Sequence, residues 1–326
     1  MADRKSASVI YTKYLSPMLQ VVRIQPEEGS EFPLYSSGQF IALSRDNCKL
    51  TKRVLDEYGQ KSYVYDLDET GNPKIGTVTH SYSIASSPYE TVQYGYLEFY
   101  IALESITNGL QGRLTESLFT IEPGSEEKIH YFNKIAGNFT LQERIDGYKH
   151  VLMVGTGTGL APFASMIKQL HFETSKGIRH NIAVTLLHTN RTVPELGYHT
   201  ELQAIEAAKK LDFLYIPTIS RPEESTKEEN IGIGRANNVL RLLFDLSMKE
   251  EQDLELSKQQ GDSSKAEVLL KRMVKPELPA HLSKSSLLGR LDPKSTIILT
   301  CGNPLLMEDV KYIAEQKSIR FEKEDW

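Results

Sequence analysis

The chain has 326 residues and a formal net charge of −5 at pH 7, with 40% hydrophobic and 25% charged residues. This balance is typical of a folded globular protein and excludes a disordered chain, and the length predicts two domains. The net negative charge gives no general attraction to nucleic acid or to an anionic membrane surface. Only two cysteines occur, Cys48 and Cys301, which argues against a disulfide framework and a four-cysteine iron–sulfur cluster. No metal site is predicted.

No apolar run approaches the roughly 18 residues that a membrane-spanning helix needs, and residues 1–8 are polar. The sequence therefore predicts no membrane span and a cytoplasmic location, and we expect a monomer or a weak dimer.

The first part of the chain alternates short β-type runs with turn residues. Enrichment in Val, Ile, Tyr and Phe with Gly, Pro and Asn between the runs predicts an antiparallel β-barrel over residues 1–145. One helix, residues 110–119, interrupts it. The predicted strands are residues 7–12, 19–25, 39–44, 62–66, 80–86 and 96–103.

The second part, residues 146–326, alternates apolar strands with helical patterns, which predicts an α/β domain with a parallel sheet and helices on both faces. Strands are expected at 151–154, 182–188, 213–219 and 296–301, and helices at 162–172, 199–210, 236–246 and 304–316. A charged insertion at about 247–291 is interpreted as a solvated helical segment, with a docking surface for a partner as the alternative.

A glycine-rich turn follows the first parallel strand, in the sequence Gly155, Thr156, Gly157, Thr158, Gly159. A strand, a glycine turn and a helix in this order predict a site for a pyrophosphate, because the helix begins with unpaired amides and glycine lets the ligand approach the backbone. The spacing differs from G-x-G-x-x-G, so a simple tight turn remains an alternative.

Three arginines follow later strands of the same sheet: Arg191, Arg221 with Ser220 before it, and Arg235. An acid at the end of the second strand is typical of NAD sites, whereas a cation fits the 2′-phosphate of NADP. These residues therefore predict an NADP(H) site, although each arginine alone is also an ordinary surface residue.

Six motifs, among them the glycine turn, stand in the order found in the ferredoxin–NADP reductase superfamily, and the chain resembles its bacterial-type ferredoxin/flavodoxin–NADP reductases. The resemblance spans nearly the whole chain and includes the final Trp326. The motifs are Gly38-Gln39-Phe40, His80-Ser81-Tyr82-Ser83, Gly112-Arg113-Leu114-Thr115, Gly137-Asn138-Phe139, Gly155 to Pro162, and Cys301-Gly302-Asn303-Pro304.

The resemblance implies that the barrel holds FAD. Tyr82 then packs on the isoalloxazine and Ser83 lies near flavin N5, whereas His80 stands where the family has an arginine on the pyrophosphate. Imidazole is a weaker and pH-dependent clamp, so FAD affinity is expected to fall from pH 6 to pH 8. Gly112 and Thr115 begin a helix that forms a second anion site. The FAD-binding residues implied are His80, Ser81, Tyr82, Ser83, Tyr100, Ile101, Leu103, Gly112, Arg113, Leu114 and Thr115.

The resemblance also implies the reacting end of the NADP(H) site. Cys301 and Gly302 lie beside the nicotinamide, Trp326 covers the flavin face, and Glu322 or Glu324 supplies a carboxylate. Ser83, Cys301 and Trp326 are the expected catalytic group, and they orient the cofactors, which carry the hydride chemistry. Without the resemblance, Cys301 is simply a small residue that ends a buried strand.

The implied reaction is hydride transfer between NADPH and FAD, and single-electron transfer between FAD and ferredoxin or flavodoxin. Both carriers are usually acidic, so a local basic face is needed, with Lys49, Lys52, Arg53 and Lys61 as candidates. Two alternatives stay open: an NADPH-dependent reductase of a haem protein, quinone or free flavin, and a non-catalytic electron-transfer subunit.

Overall fold

A computed structural model describes residues 3–55, 59, 61–103, 110, 112–224 and 228–324. The chain divides into two compact units, Met1–Thr140 and Leu141–Trp326. The expected boundary, between residues 145 and 146, lies just after the short helix that opens the second unit. Within the described ranges, no helix is both long and apolar enough to cross a bilayer.

The elements of unit 1 are β1 Arg4–Ser16, β2 Leu19–Pro26, β3 Phe40–Lys49, β4 Thr51–Leu55, β5 Lys61–Tyr65, β6 Ile75–Ser83, α1 Pro88–Tyr94, β7 Leu97–Ala102, α2 Arg113–Phe119 and β8 Lys128–Ala136. Six strands form an antiparallel sheet in the order β6-β3-β8-β1-β2-β7, and β4 and β5 form a separate hairpin. The amide of Ala85 donates to the carbonyl of Glu98 at 2.8 Å, which links the end of β6 to β7 and so curls the sheet on itself. The predicted antiparallel barrel-type fold is confirmed.

Alternate residues of these strands face one apolar core. Val22 and Ile24 of β2 meet Phe99 and Ile101 of β7 there, and α2 adds Leu114. Because successive strand residues point to opposite sides, this two-residue period is what fixes the register of the curled sheet. Each such side chain contributes about 1.5–3 kcal/mol of burial free energy.

The elements of unit 2 are α3 Leu141–Arg144, β9 His150–Thr156, α4 Ala161–Ser175, β10 Ala183–Asn190, α5 His199–Ala207, β11 Phe213–Ile219, β12 Gly232–Ile233, α6 Ala236–Leu243, α7 Lys249–Gln260, α8 Ser264–Lys271, α9 Lys284–Arg290, β13 Thr296–Cys301, α10 Pro304–Gln316 and β14 Arg320–Lys323. Six strands form a parallel sheet in the order β12-β11-β10-β9-β13-β14. Helices α6, α9 and α10 pack on one face through Leu240, Leu287 and Val310, and α5 packs against β11 from the other. The predicted α/β fold is confirmed.

The insertion at 247–291 contains α7, α8 and α9. Helix α7 buries none of its residues, as its polar sequence predicts, whereas α9 contributes Leu287 to the core. The buried Arg241 of α6 anchors the start of the insertion, because its guanidinium donates to the carbonyl of Ser247 at 2.6 Å and to Gln252 Oε1 at 2.8 Å.

Two histidines are buried in unit 2. Burial lowers the pKa of His188 to about 3, with His199 adding to the effect, and lowers the pKa of His150 to about 4, with Arg290 adding to it. The Tyr215 hydroxyl lies 3.2 Å from Nδ1 of both His188 and His199. Because these side chains are neutral in the folded protein, acid favours the unfolded chain, where histidine titrates near 6.5.

We expect the free energy of unfolding to be greatest above pH 7 and to fall as the pH drops below about 6.5, by about 2 kcal/mol per histidine at pH 5. Urea unfolding at pH 7.5 and pH 5.0 measures how much the free energy of unfolding falls between the two pH values. The fall should be smaller in His188→Gln than in the wild type, and His281→Gln, at an exposed position, is the control. An equal loss in the wild type and His188→Gln would contradict the assignment to His188.

Candidate functional site

The glycine turn of unit 2 lies directly between β9 and α4. Residues 157–160 form one 3₁₀ turn, and α4 begins at Ala161. Gly157 has a φ of +56°, which an L side chain rarely adopts, and a Cβ built there would meet no atom within 4 Å. The turn therefore opens onto free space at the carboxyl end of β9, where a ligand can approach the backbone.

Gly159 faces the opposite way, into the sheet. A Cβ on Gly159 would lie 2.2 Å from the carbonyl oxygen of Cys301 and 2.6 Å from the Cα of Gly302. Gly302 has a φ of +131°, and the Thr156 hydroxyl accepts a hydrogen bond from the amide of Asn303 at 3.2 Å. Both alternatives for the turn therefore have support: Gly159 serves packing, and Gly157 leaves the surface open.

Cys301 ends the buried strand β13 and lies beside the C-terminal segment. Its thiol donates a hydrogen bond to Glu324 Oε2 at 2.7 Å, and both residues are buried. Burial and the neighbouring carboxylate raise the pKa of Cys301 well above its usual range. The thiol is therefore protonated near neutral pH and acts as a hydrogen-bond donor, because nucleophilic attack requires the thiolate.

The structure distinguishes the two acids that the sequence left open. Glu324 reaches Cys301, and its amide donates to the carbonyl of Thr300 at 3.0 Å. Glu322 instead accepts from Arg144 Nη1 at 3.0 Å and from Arg320 Nη2 at 2.5 Å. Trp326, the third expected catalytic residue, lies outside the described residues.

The three arginines predicted for a 2′-phosphate follow three adjacent strands. Arg191 comes directly after β10, Ser220 and Arg221 after β11, and Arg235 after β12. The amide of Arg221 donates to the carbonyl of Arg191 at 2.9 Å, so the first two are neighbours. All therefore lie at the same carboxyl edge of the sheet, where ligands of open parallel sheets bind.

Each of these arginines faces a carboxylate of the chain itself. Arg191 is held by Glu195 through two hydrogen bonds, at 2.9 and 2.6 Å, and Glu195 is buried. Arg221 pairs with Glu224 at 3.2 Å, and the side chains of both are 49% exposed. The spacings of three and four residues could have indicated these two local pairs.

The third pair is not local in sequence. Arg235 Nη1 lies 3.9 Å from Glu250 Oε1, and Glu250 belongs to the first turn of α7 in the insertion. No sequence pattern indicates Glu250, because its place depends on how the insertion folds back onto α6.

In unit 1 the segment His80 to Ser83 forms the end of β6. His80 shares a strand face with Tyr82, which packs edge-on against Phe99 at 6.3 Å between ring centres. His80 and Ser81 are exposed, and Tyr82 and Ser83 are half-buried. The spacing thus presents His80 and Tyr82 on one side of the strand.

The other expected FAD residues of unit 1 lie on β7 and around α2. Tyr100 and Ile101 are buried in β7, and the amide of Leu103 donates to the carbonyl of Met18 at 2.8 Å. Helix α2 begins at Arg113 with Gly112 as its N-cap, and Leu114 is part of the core. The Thr115 hydroxyl donates to the carbonyl of Gly112 at 3.2 Å.

The family model of the oxidoreductase NAD-binding domain matches residues 153–254. The chain is 31% identical to the ferredoxin–NADP reductase of Azotobacter vinelandii over 164 residues, which is 48% of this chain and 55% of that protein. It is 29% identical over 175 residues to the flavodoxin/ferredoxin–NADP reductase of Rhodobacter capsulatus, or 53% of this chain and 57% of that protein.

Among solved structures, the fold is similar to a ferredoxin NADP+ reductase from Neisseria gonorrhoeae with bound FAD and NADP, with a TM-score of 0.59 and 18% identity, over 99% of both chains. The chain resembles the ferredoxin/flavodoxin–NADP reductases in sequence and has their two-domain fold. The same fold occurs in a flavohemoglobin from Malassezia yamatoensis, with a TM-score of 0.58 and 12% identity, over 99% of this chain and 60% of that one.

The resemblance inferred from the motifs is confirmed by these similarities. The matched region spans little more than half the length of the two curated reductases, and the same fold occurs in a flavohemoglobin. The individual site residues stay predictions.

We expect Gly159→Ala to destabilise the protein by about 2 kcal/mol or more, because the added methyl group would collide with the backbone of Cys301 and Gly302. Gly289→Ala is the matched control, since a Cβ at Gly289 of α9 meets no atom within 4 Å and alanine favours helix. Urea unfolding measures both changes, and equal stability of the two variants would contradict the close contact.

Proposed function

We propose that this chain is an FAD-containing, NADP(H)-dependent oxidoreductase that exchanges electrons with a separate carrier. The observation that carries the proposal is the grouping at one sheet edge: an open glycine turn, the Cys301–Glu324 pair and exposed cations after β11 and β12. This set fits a dinucleotide, because it offers backbone amides to a pyrophosphate and arginine to a further phosphate.

The residues of unit 2 fit NADP(H) with unequal roles. Gly155, Thr156, Gly157 and Thr158 would receive the pyrophosphate, and Gly302 and Cys301 would border the nicotinamide. All three arginine side chains are exposed, at 40% for Arg191, 49% for Arg221 and 67% for Arg235, but only Arg191 pairs with a buried carboxylate, that of Glu195. We therefore assign the 2′-phosphate to Ser220, Arg221 and Arg235, and to Arg191 the task of holding the loop after β10.

The residues of unit 1 fit FAD through an aromatic and an imidazole side chain on one strand face. Tyr82 would pack on the isoalloxazine, Ser83 would lie near N5, and the exposed His80 would face the pyrophosphate. Histidine in place of arginine fits an anion best when protonated, which supports the expected loss of FAD affinity from pH 6 to pH 8.

A bound flavin supplies the exchange of one hydride for two single electrons. The chain's own groups position the reactants. The Cys301 thiol stays protonated beside the Glu324 carboxylate, so it can orient a nicotinamide and cannot attack it. Ser83 would hold a hydrogen bond at the flavin, and Trp326 would cover the flavin face.

Ferredoxin or flavodoxin is the carrier we favour, on the strength of the curated relatives' names. A haem protein is the second candidate, because a flavohemoglobin shares the fold. The quinone, free-flavin and non-catalytic alternatives, the cytoplasmic location and the oligomeric state stay predictions.

We keep Lys49, Lys52, Arg53 and Lys61 as the proposed basic face for the carrier. Lys49 pairs with Glu116 at 2.6 Å, and Lys52 lies 3.7 Å from Asp66, but both lysines are exposed, and exposed pairs contribute little and yield to a partner. In the β3–β6 ladder, Ser83 pairs with Phe40 at one end, whereas Lys49 pairs with Ile75 at the other. The candidates therefore lie towards the opposite end of these strands from Ser83.

We expect the purified protein to be yellow, and NADPH to bleach its flavin absorbance anaerobically at much lower concentration than NADH. The difference follows from the 2′-phosphate, since charge-assisted hydrogen bonds contribute about 1.5–3 kcal/mol each. Arg221→Ala and Arg235→Ala should raise the KM for NADPH and leave the KM for NADH unchanged. A colourless protein that takes up no FAD on reconstitution would refute the proposed function.

With NADPH in excess, we expect ferredoxin or flavodoxin to be reduced faster than a haem protein, a quinone or free flavin, as followed by stopped-flow absorbance. Charge reversal in the Arg53→Glu, Lys61→Glu double variant should slow reduction of the carrier, because a basic face attracts an acidic carrier. An unchanged rate in this variant would contradict docking at these cations, and faster reduction of the haem protein would favour the second candidate.

A further inference from the structure

The carboxylate of Glu250 occupies an unusual position for an acid in a polar, exposed helix. Its side chain is only 12% exposed, although α7 buries none of its residues completely. Asn238 Nδ2 donates to Glu250 Oε2 at 2.7 Å, and the amide of Lys249 donates to Asn238 Oδ1 at 3.1 Å. The side-chain amide of Asn238 thus clamps the first turn of α7 to α6 and fixes where the Glu250 charge lies.

None of these contacts requires a negative charge at position 250. Asn238 needs only an oxygen acceptor, which glutamine also provides. The α7 N-terminus already has Glu251, whose carboxylate accepts from the amide of Met248 at 2.9 Å. Removing a carboxylate from water is unfavourable unless a cation compensates, and among the described residues the cation paired with Glu250 is Arg235, at 3.9 Å.

We propose that Glu250 is a specificity-determining residue of the dinucleotide site, which competes with a 2′-phosphate for Arg235 and so weakens the preference for NADPH over NADH. The inference rests on the proposed function, because it takes Arg235 as a 2′-phosphate ligand. A phosphate on Arg235 would lie close to a fixed carboxylate of the same sign. The repulsion acts only on a ligand with the extra phosphate and leaves the rest of the nucleotide unaffected.

Arg221 and Arg235 then differ in how readily each can bind a 2′-phosphate. Arg221 pairs with Glu224, whose side chain is itself 49% exposed, and exposed pairs contribute little and yield readily to a ligand. Arg235 is 67% exposed but lies beside a carboxylate that cannot move away, since Asn238 holds it. Selectivity for the 2′-phosphate therefore depends on Glu250 more than on Glu224.

The test compares Glu250→Gln with Glu251→Gln in the full-length protein. Gln keeps the acceptor for Asn238 and removes the charge, and Glu251→Gln removes the same charge one residue away. The probes are adenosine 2′,5′-bisphosphate and AMP, with affinities measured by calorimetry, so that the readout is independent of flavin and turnover. We expect Glu250→Gln to bind the bisphosphate roughly tenfold more tightly, with AMP unchanged and with no gain in Glu251→Gln.

The Arg235→Ala variant and its double variant with Glu250→Gln complete a thermodynamic cycle. The gain from Glu250→Gln should vanish when Arg235 is absent. If Arg235→Ala weakens bisphosphate binding but Glu250→Gln leaves it unchanged, the role of Glu250 is overturned while the 2′-phosphate site stands. If the wild type binds neither probe and Arg235→Ala changes nothing, both the site and the inference fail. A change for AMP equal to that for the bisphosphate would indicate a structural effect and overturn the inference.

Discussion

The carboxyl edge of the parallel sheet depends on the close backbone contact between Gly159 and the Cys301–Gly302 peptide. At this distance no Cβ fits on Gly159, and none fits on Gly302 beside Thr156. The contact brings the turn after β9 against the turn after β13, and Asn303 then caps α10 with its side chain. Two loops that are almost 150 residues apart in sequence, at Thr156 and Asn303, become one surface.

The position of Cys301 follows from that contact. Its carbonyl is fixed by the glycine turn, and its side chain points to Glu324, which β14 places by parallel pairing with β13. A thiol and a carboxylate buried together are stable only if one of them keeps its proton, and the high pKa of Cys301 assigns that proton to sulfur. The site thus has a neutral donor beside an acid, an arrangement suited to holding a polar ligand.

Much of this fold could be predicted because the pattern of each element agrees with its environment. The limits of β11 and β13 were predicted correctly, since buried parallel strands are continuous apolar runs with clear ends. Strand β8 was missed although it lies inside the first sheet, because its polar residues alternate weakly and resemble a loop. Strand β14 was missed because it is short and charged, and only its pairing with β13 defines it.

The candidate site also contains some residues that the sequence predicts and others that only the structure reveals. The glycines and the arginines could be predicted from strand–turn order, because the carboxyl ends of parallel strands share an edge, whereas the place of Cys301 came from the resemblance alone. The carboxylates that face the arginines could be anticipated only where the pairing is local, as for Arg191 and Glu195.

The position of Glu250 beside Arg235 could not be predicted from the sequence, because it depends on the buried Arg241. The Arg241 guanidinium donates to the Asp309 carboxylate at 2.5 and 3.0 Å, and its remaining donors bind Ser247 and Gln252. Loss of a partner would leave a buried charge unpaired, which is strongly destabilising. The first turn of α7 is therefore fixed to α6, directly beside the edge with Arg235. An insertion anchored in this way adds one charge to a ligand site without altering the sheet, so the specificity of the site can change through residues outside its nucleotide-binding motifs.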